Sequence, residues 1–174
     1  MTSLEQTLRL TDDTLVHLAG GMRNWCMMLT YTFDGQPAAD ELIAAVLAHP
    51  RYADGCFSPW TGPCEDMHGP YRLHTLTVNG FERCSVASAW AVLLDWPGAD
   101  LNPWADKEML MSQEIVGAWV APLIIGADEI HRLTVPREGN EHDCGWVVGT
   151  GGFHEFITID RDNAVLTVII ATDD

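Results

Sequence analysis

Two apolar runs close the chain, Phe153 to Ile159 and Val165 to Ala171, with the turn-forming residues Asp160 to Asn163 between them. Each is short and rich in β-branched residues, as strands are. Val165, Leu166, Val168, Ile169 and Ile170 leave no alternating polar face, so the predicted hairpin is covered on both sides and belongs in the middle of a sheet. The rest of the chain has to supply its neighbours.

Trp25, Met27, Leu29, Tyr31 and Phe33 alternate with Cys26, Met28, Thr30 and Thr32, which is the period of two of a strand. Ile130 to Val135 reads as another. Asp34 and Gly35 turn the chain, and Pro37 suits a first helical position. Leu42, Ile43, Val46 and Leu47 then form one apolar stripe of a helix that Pro50 stops. Thr11 to Met22 reads as a short helix, with Thr11 as cap, Asp12 and Asp13 at its positive end, and Gly20 and Gly21 beyond. Asn79 and Gly80 predict a type I′ turn joining strands at Tyr71 to Val78 and Phe81 to Trp90, the second running on through Leu94.

Lys107 to Met111 suggests a short helix. Ala118 to Ile125 suggests a buried strand with Pro122 at a bulge or edge, and Trp146 to Val148 a further short strand. Gly and Pro punctuate residues 51 to 69 and 96 to 104, which read as ordered aromatic-rich loops. These elements predict an α+β fold over residues 1–174: a single domain, mainly antiparallel sheet, with two short N-terminal helices packed on it.

Charge limits the functions open to such a domain. Twenty-five Asp and Glu face nine Lys and Arg, giving a formal charge of -16. Hydrophobic residues make up 47% of the chain and include seven Trp, so this acidity belongs to a folded surface and not to a disordered acidic chain. The carboxylates spread from Glu5 to Asp174 without a long block. Binding to nucleic acid draws on Lys and Arg at the phosphates, so neither direct nucleic-acid binding nor attachment to an anionic membrane is expected. A basic protein partner is favoured, because complementary potentials raise association rates by about 10 to 1,000-fold at low salt.

Residues Met1 to Arg9 do not form a signal peptide, and no run approaches the roughly 20 apolar residues of a membrane span, so a cytoplasmic location is expected. Five Cys at irregular spacing fit reduced thiols better than a disulfide framework.

Among side chains able to do chemistry, Cys56, Cys64, His68 and His74 combine thiolate and imidazole, the ligand types zinc prefers. Seven residues separate the two Cys, wider than a structural zinc pair, so neither metal nor cofactor is expected. Cys144 could meet His154 across the last strands more readily than its neighbour His142, although a buried inert Cys is the commoner outcome; no catalytic residue is assigned. Gly151 and Gly152 lack the Lys and spaced glycines of a phosphate loop.

Trp60, Trp96 and Trp104 stand in loops beside Glu65, Asp66, Asp95, Asp100 and Asp106, the combination a hot spot for a basic partner would contain. The leading expectation is therefore a non-catalytic acidic binding protein of inhibitor or immunity type, occluding a cationic partner such as a toxin or nuclease. Two alternatives stand beside it. One is a small enzyme or ligand-binding domain using Cys and His from residues 51–74 and 142–154. The other is a regulator that mimics the charge of nucleic acid.

Overall fold

The computed structural model describes residues 8–18, 24–53, 66–98, 106–142, 149 and 152–173. Its centre is a six-stranded antiparallel sheet of β1 (Leu8–His17), β2 (Asn24–Phe33), β5 (Phe81–Arg83), β6 (Glu129–Leu133), β7 (Phe153–Asp160) and β8 (Val165–Asp173), ordered β1-β2-β8-β7-β6-β5. A separate two-stranded ribbon joins β3 (Met67–His68) to β4 (Tyr71–Arg72). The β7–β8 hairpin occupies the two central positions, as its apolar faces demand.

Alternation along β2, β7 and β8 feeds two cores. Trp25, Met27, Leu29, Tyr31, Phe33, Ile157, Ile159, Leu166, Val168 and Ile170 face α1 (Ala39–Leu47), whose Leu42, Ile43, Ala45 and Val46 fill that side together with Tyr52 of α2 (Pro50–Ala53). Cys26, Met28, Phe156, Ile169 and Ala171 face the other way. They meet α3 (Val86–Asp95), α4 (Asp106–Trp119) and α5 (Ala121–Ile125) through Ala89, Leu93, Val116, Val120 and Ile124. The fold is α+β, as expected, with helices on both faces of the sheet.

Three parts of the sequence reading are overturned. The helix expected at Thr11 to Met22 is a strand over its described part: β1 pairs with β2 from Leu8 opposite Phe33 to His17 opposite Trp25. Pairing satisfies every other backbone group of a segment with β-branched Thr11, Thr14 and Val16, which outweighs its capping residues. The register shifts between Leu10 and Asp12, and Asp12 and Asp13 stand exposed, so this long edge strand is protected by a bulge and by charge. The helices packed on the first face are therefore α1 and α2, and two strands, β1 and β2, precede them.

Nor do Asn79 and Gly80 make a type I′ turn. Neither has a positive φ, and both lie in a 3-10 turn, Val78–Gly80. Gly80 is needed for space, because an added Cβ would come within 2.5 Å of Val135 Cγ2. The following strand, β5, pairs with β6 and ends at Arg83, after which Ser85 caps a helix by accepting from the Ser88 N–H at 3.1 Å.

The apolar runs at Ala91 to Leu94 and Ala118 to Ile125 are accordingly helical. Pro122 lies at the start of α5, where its missing N–H costs nothing. The helix expected at Lys107 to Met111 is the first part of α4. The strand expected at Trp146 to Val148 lies outside the described residues. Among those described, no helix is long and apolar enough to cross a membrane.

Candidate functional site

The strongest convergence of polar side chains lies inside the first core. At the β3–β4 corner Gly69 has φ +53°, and a Cβ there would enter the ring of Phe153, so only glycine lets the ribbon close onto β7. The ribbon thereby lays His68 against β7. Its Nε2 lies 2.7 Å from Oε2 of Glu155, and its Nδ1 lies 2.9 Å from the Tyr52 carbonyl oxygen. Both side chains are 0% exposed.

The Tyr52 ring stacks on the imidazole at 3.8 Å between centroids, and Phe153 approaches edge-on at 5.8 Å. His142 is tied to the same corner, with Nε2 2.8 Å from the Gly69 carbonyl oxygen. A carbonyl only accepts, so Nδ1 of His68 carries a proton, and the contact between Nε2 and Glu155 holds one more. A catalytic imidazole keeps one nitrogen facing its reaction partner. Both nitrogens of His68 are taken, so this pair orders the core and offers no lone pair to a metal.

Buried atoms near it that find no hydrogen-bond partner among the described residues include Oε1 of Glu155 and the Tyr31 hydroxyl. Burial pushes the Tyr31 hydroxyl up to about 12, opposed by Arg51 and reinforced by Asp13 and Glu155. Arg51 grips Asp13 with Nε at 2.6 Å and a second guanidinium nitrogen at 3.1 Å, pinning α2 to the edge strand.

Of the thiolate and imidazole set, Cys56 and Cys64 lie outside the described residues, and His74 is exposed on a 3-10 turn apart from His68. Among the described residues no group of three or more His, Cys, Asp and Glu could hold a metal ion. Cys144 also lies outside them. His154 faces the second core beside Trp96, at 6.5 Å between ring centroids. Burial, with Arg132 adding to it, lowers its pKa to about 4, so it is neutral at physiological pH, as a structural histidine is.

Of the expected partner-binding set, Asp66, Asp95 and Trp96 have described side chains. Asp66 is exposed beside the ribbon on the α1 side, and Asp95 is exposed at the end of α3 on the opposite side. Asp95 sits in the last turn of its helix, where the dipole disfavours a carboxylate. Trp96 needs correction as a loop anchor: it is 4% exposed and packs among Cys26, Leu93 and Phe156 in the second core. Burial of a large aromatic surface holds the indole there, pinning the end of α3 to the sheet. Trp60, Glu65, Asp100 and Trp104 lie outside the described residues, as does the side chain of Asp106.

Two surface features escape the sequence reading. An open cleft of about 430 Å³ is lined by Arg83, Cys84, Ser85, Val86, Ala127, Asp128 and Ile130. Burial raises the Cys84 thiol pKa, with Arg132 opposing, which keeps it a poor nucleophile. The second feature is the exposed apolar side chains of α4 and α5, where Leu110 is 61% exposed, Met111 45%, Trp119 52% and Ile125 70%. Its sequence signal is an excess of apolar residues: Val116, Val120 and Ile124 at four-residue spacing already complete one buried face, leaving the others no core to enter.

The chain matches no family model, no curated protein and no solved structure.

Proposed function

We propose that the chain is a non-catalytic acidic binding protein of inhibitor or immunity type, which occludes a cationic protein partner such as a toxin or nuclease in the cytoplasm. The observation that carries this reading is the way the few cations are spent. Arg9, Arg51, Arg83, Arg137 and Arg161 are committed to Asp34, Asp13, Glu129, Glu141 and Glu129 respectively. The Arg132 guanidinium lies over the Phe156 ring.

Asp40, Asp66, Glu82, Asp95, Glu114, Glu138 and Asp162 are exposed and form no ion pair with a described residue. Their field is therefore unopposed locally, and it reaches a partner over the roughly 10 Å Debye length at 0.1 M salt. These carboxylates are scattered over helices, turns and a strand, with Asp40 on one helix layer and Asp95 and Glu114 on the other, which supports a general attraction for a basic protein more than a charge ladder copying nucleic acid.

A second reading, a small ligand-binding domain, draws on the convergence of His68 and His142 with Glu155 and on the cleft at Cys84. The two engaged nitrogens of His68 make it the lesser one.

The test is capture of a basic partner by the purified protein, followed by association kinetics between roughly 0.05 and 0.5 M salt. The rate should fall by about tenfold or more, and Asp66→Lys or Asp95→Lys should slow it at low salt. A rate indifferent to both salt and charge reversal would remove the reading.

A further inference from the structure

We infer that the first core contains an internal water site, in which water donates to Oε1 of Glu155 and accepts from the Tyr31 hydroxyl. Glu155 and Tyr31 are each 0% exposed, and neither of these two atoms finds a hydrogen-bond partner among the described residues. Leaving a buried carboxylate oxygen unpaired is costly enough that folded proteins satisfy such atoms, with ordered water where no side chain reaches them.

The sheet gives the reason that no side chain reaches. Glu155 stands in a cross-strand row with Ile170 and Met27, and Tyr31 in a row with Leu166 and Ile159. Leu29, Val168 and Ile157 fill the row between. The Met27 thioether already takes the Arg51 guanidinium at 3.6 Å, and the other neighbours are aliphatic.

The turn leading into α2 covers both orphan atoms. It is closed by the Tyr52 N–H on the His49 carbonyl at 3.0 Å. At its start His49 meets the Tyr31 ring edge-on, 4.9 Å between centroids. At its end Tyr52 stacks on His68, which holds Oε2 of Glu155. Three residues of helix rise only about 4.5 Å, so the two side chains converge beneath this turn. They come close enough for the Glu155 carboxylate to act on the Tyr31 hydroxyl.

Hydrogen-bond valence selects the occupant. Burial pushes the Tyr31 hydroxyl up to about 12, so it keeps its proton and needs an acceptor. Oε1 of Glu155 accepts, whichever atom of the His68 contact carries the shared proton. The molecule between them has to accept at one end and donate at the other. A metal cation or an ammonium cannot accept, and a halide cannot donate. Arg51 further opposes a cation here, and Asp13 with Glu155 an anion. Water does both and is neutral.

High-resolution crystal structures test the site, together with magnetic relaxation dispersion of the solvent, which counts waters held long in the interior of the full chain. Density should lie about 2.5–3.0 Å from Oε1 of Glu155 and at a similar distance from the Tyr31 hydroxyl, directly or through a second water. Tyr31→Phe, which keeps the ring, should lose a long-lived water that the parent holds, and so should Glu155→Leu. Glu155→Gln should retain it, because its amide carbonyl replaces Oε1 while its N–H faces His68. Far-ultraviolet circular dichroism checks folding, and Tyr31→Phe against Glu155→Gln decides the matter even if Glu155→Leu fails to fold. A protein N–H or O–H found on Oε1, a parent without density there, a water count unchanged in Tyr31→Phe, or a loss in Glu155→Gln would each overturn the site.

Discussion

Replacing Glu155 tests how the first core is held together. In Glu155→Ala the Nδ1 proton of His68 keeps the Tyr52 carbonyl at 2.9 Å, but Nε2 loses its partner at a site that is 0% exposed. A buried polar atom left unpaired costs about 1–3 kcal/mol. The void left by the missing carboxyl and methylene raises this, so the total is about 3–5 kcal/mol, the range found when one member of a buried pair is removed. In a chain of this length that lowers Tm by roughly 6–20 °C.

Glu155→Gln keeps the shape and can donate an amide N–H to Nε2, so it should cost only about 1 kcal/mol. His68→Leu/Glu155→Leu removes both members and should be more stable than Glu155→Leu alone, because the stranded imidazole is gone and only the Tyr52 carbonyl gives up a donor. Urea denaturation at neutral pH, with midpoints compared at constant slope, measures these four variants together with His68→Leu, which closes the cycle. The reasoning fails if Glu155→Ala lies within about 1 kcal/mol of the parent, if Gln is as damaging as Ala, or if the two Leu replacements add without coupling.

Gly69→Ala should destabilise by more than about 2 kcal/mol, since it combines a left-handed backbone at φ +53° with a Cβ driven into Phe153; a thermal melt unchanged from the parent would contradict this. His154 has a folded pKa of about 4 against an ordinary 6.5, so the unfolded chain binds the extra proton between these values. Stability should therefore fall as pH drops from 6.5 to 4, and His154→Leu should flatten that part of the stability curve. Glu129 acts at lower pH: the Arg161 hydrogen bond holds its pKa below the ordinary 4.5, so its contribution is present above that value and is lost as pH falls through the depressed one. In Glu129→Gln the acid limb should be shallower there, as measured by urea titrations at a series of pH values. Burial pushes the Cys26 thiol up to about 12, so peptide mapping after iodoacetamide treatment should find Cys26 unmodified in the native protein and alkylated after denaturation.

The candidate site was only partly legible in the sequence. The sequence offers His68 only as a weak candidate ligand, and a site joining residues 51–74 with 142–154 only as an alternative. Glu155 neighbours His154 in sequence, and on a strand the two face opposite ways. Its actual partner is His68, 87 residues distant in sequence, and that pairing depends on a glycine corner whose fit against Phe153 exists only in the folded chain. Trp96 carried the same difficulty: a tryptophan between Asp95 and Pro97 looks like a loop residue until α3 is seen to deliver it to the sheet.

By itself the sequence determined β2, α1, β6 and the β7–β8 hairpin. In β2 the period of two, and in α1 an apolar stripe with nearby turn and proline signals, admit one local answer, while the hairpin's dry faces require the centre of a sheet. Tertiary structure alone decided that residues 8–17 pair as an edge strand and that residues 86–95 and 121–125 are helical. Short apolar segments are nearly degenerate between helix and strand by propensity, and the choice falls to whichever conformation finds partners for the backbone and cover for the side chains. The same competition left Leu110, Met111 and Ile125 facing outward, because the inner row of α4 and α5 had already filled the second core.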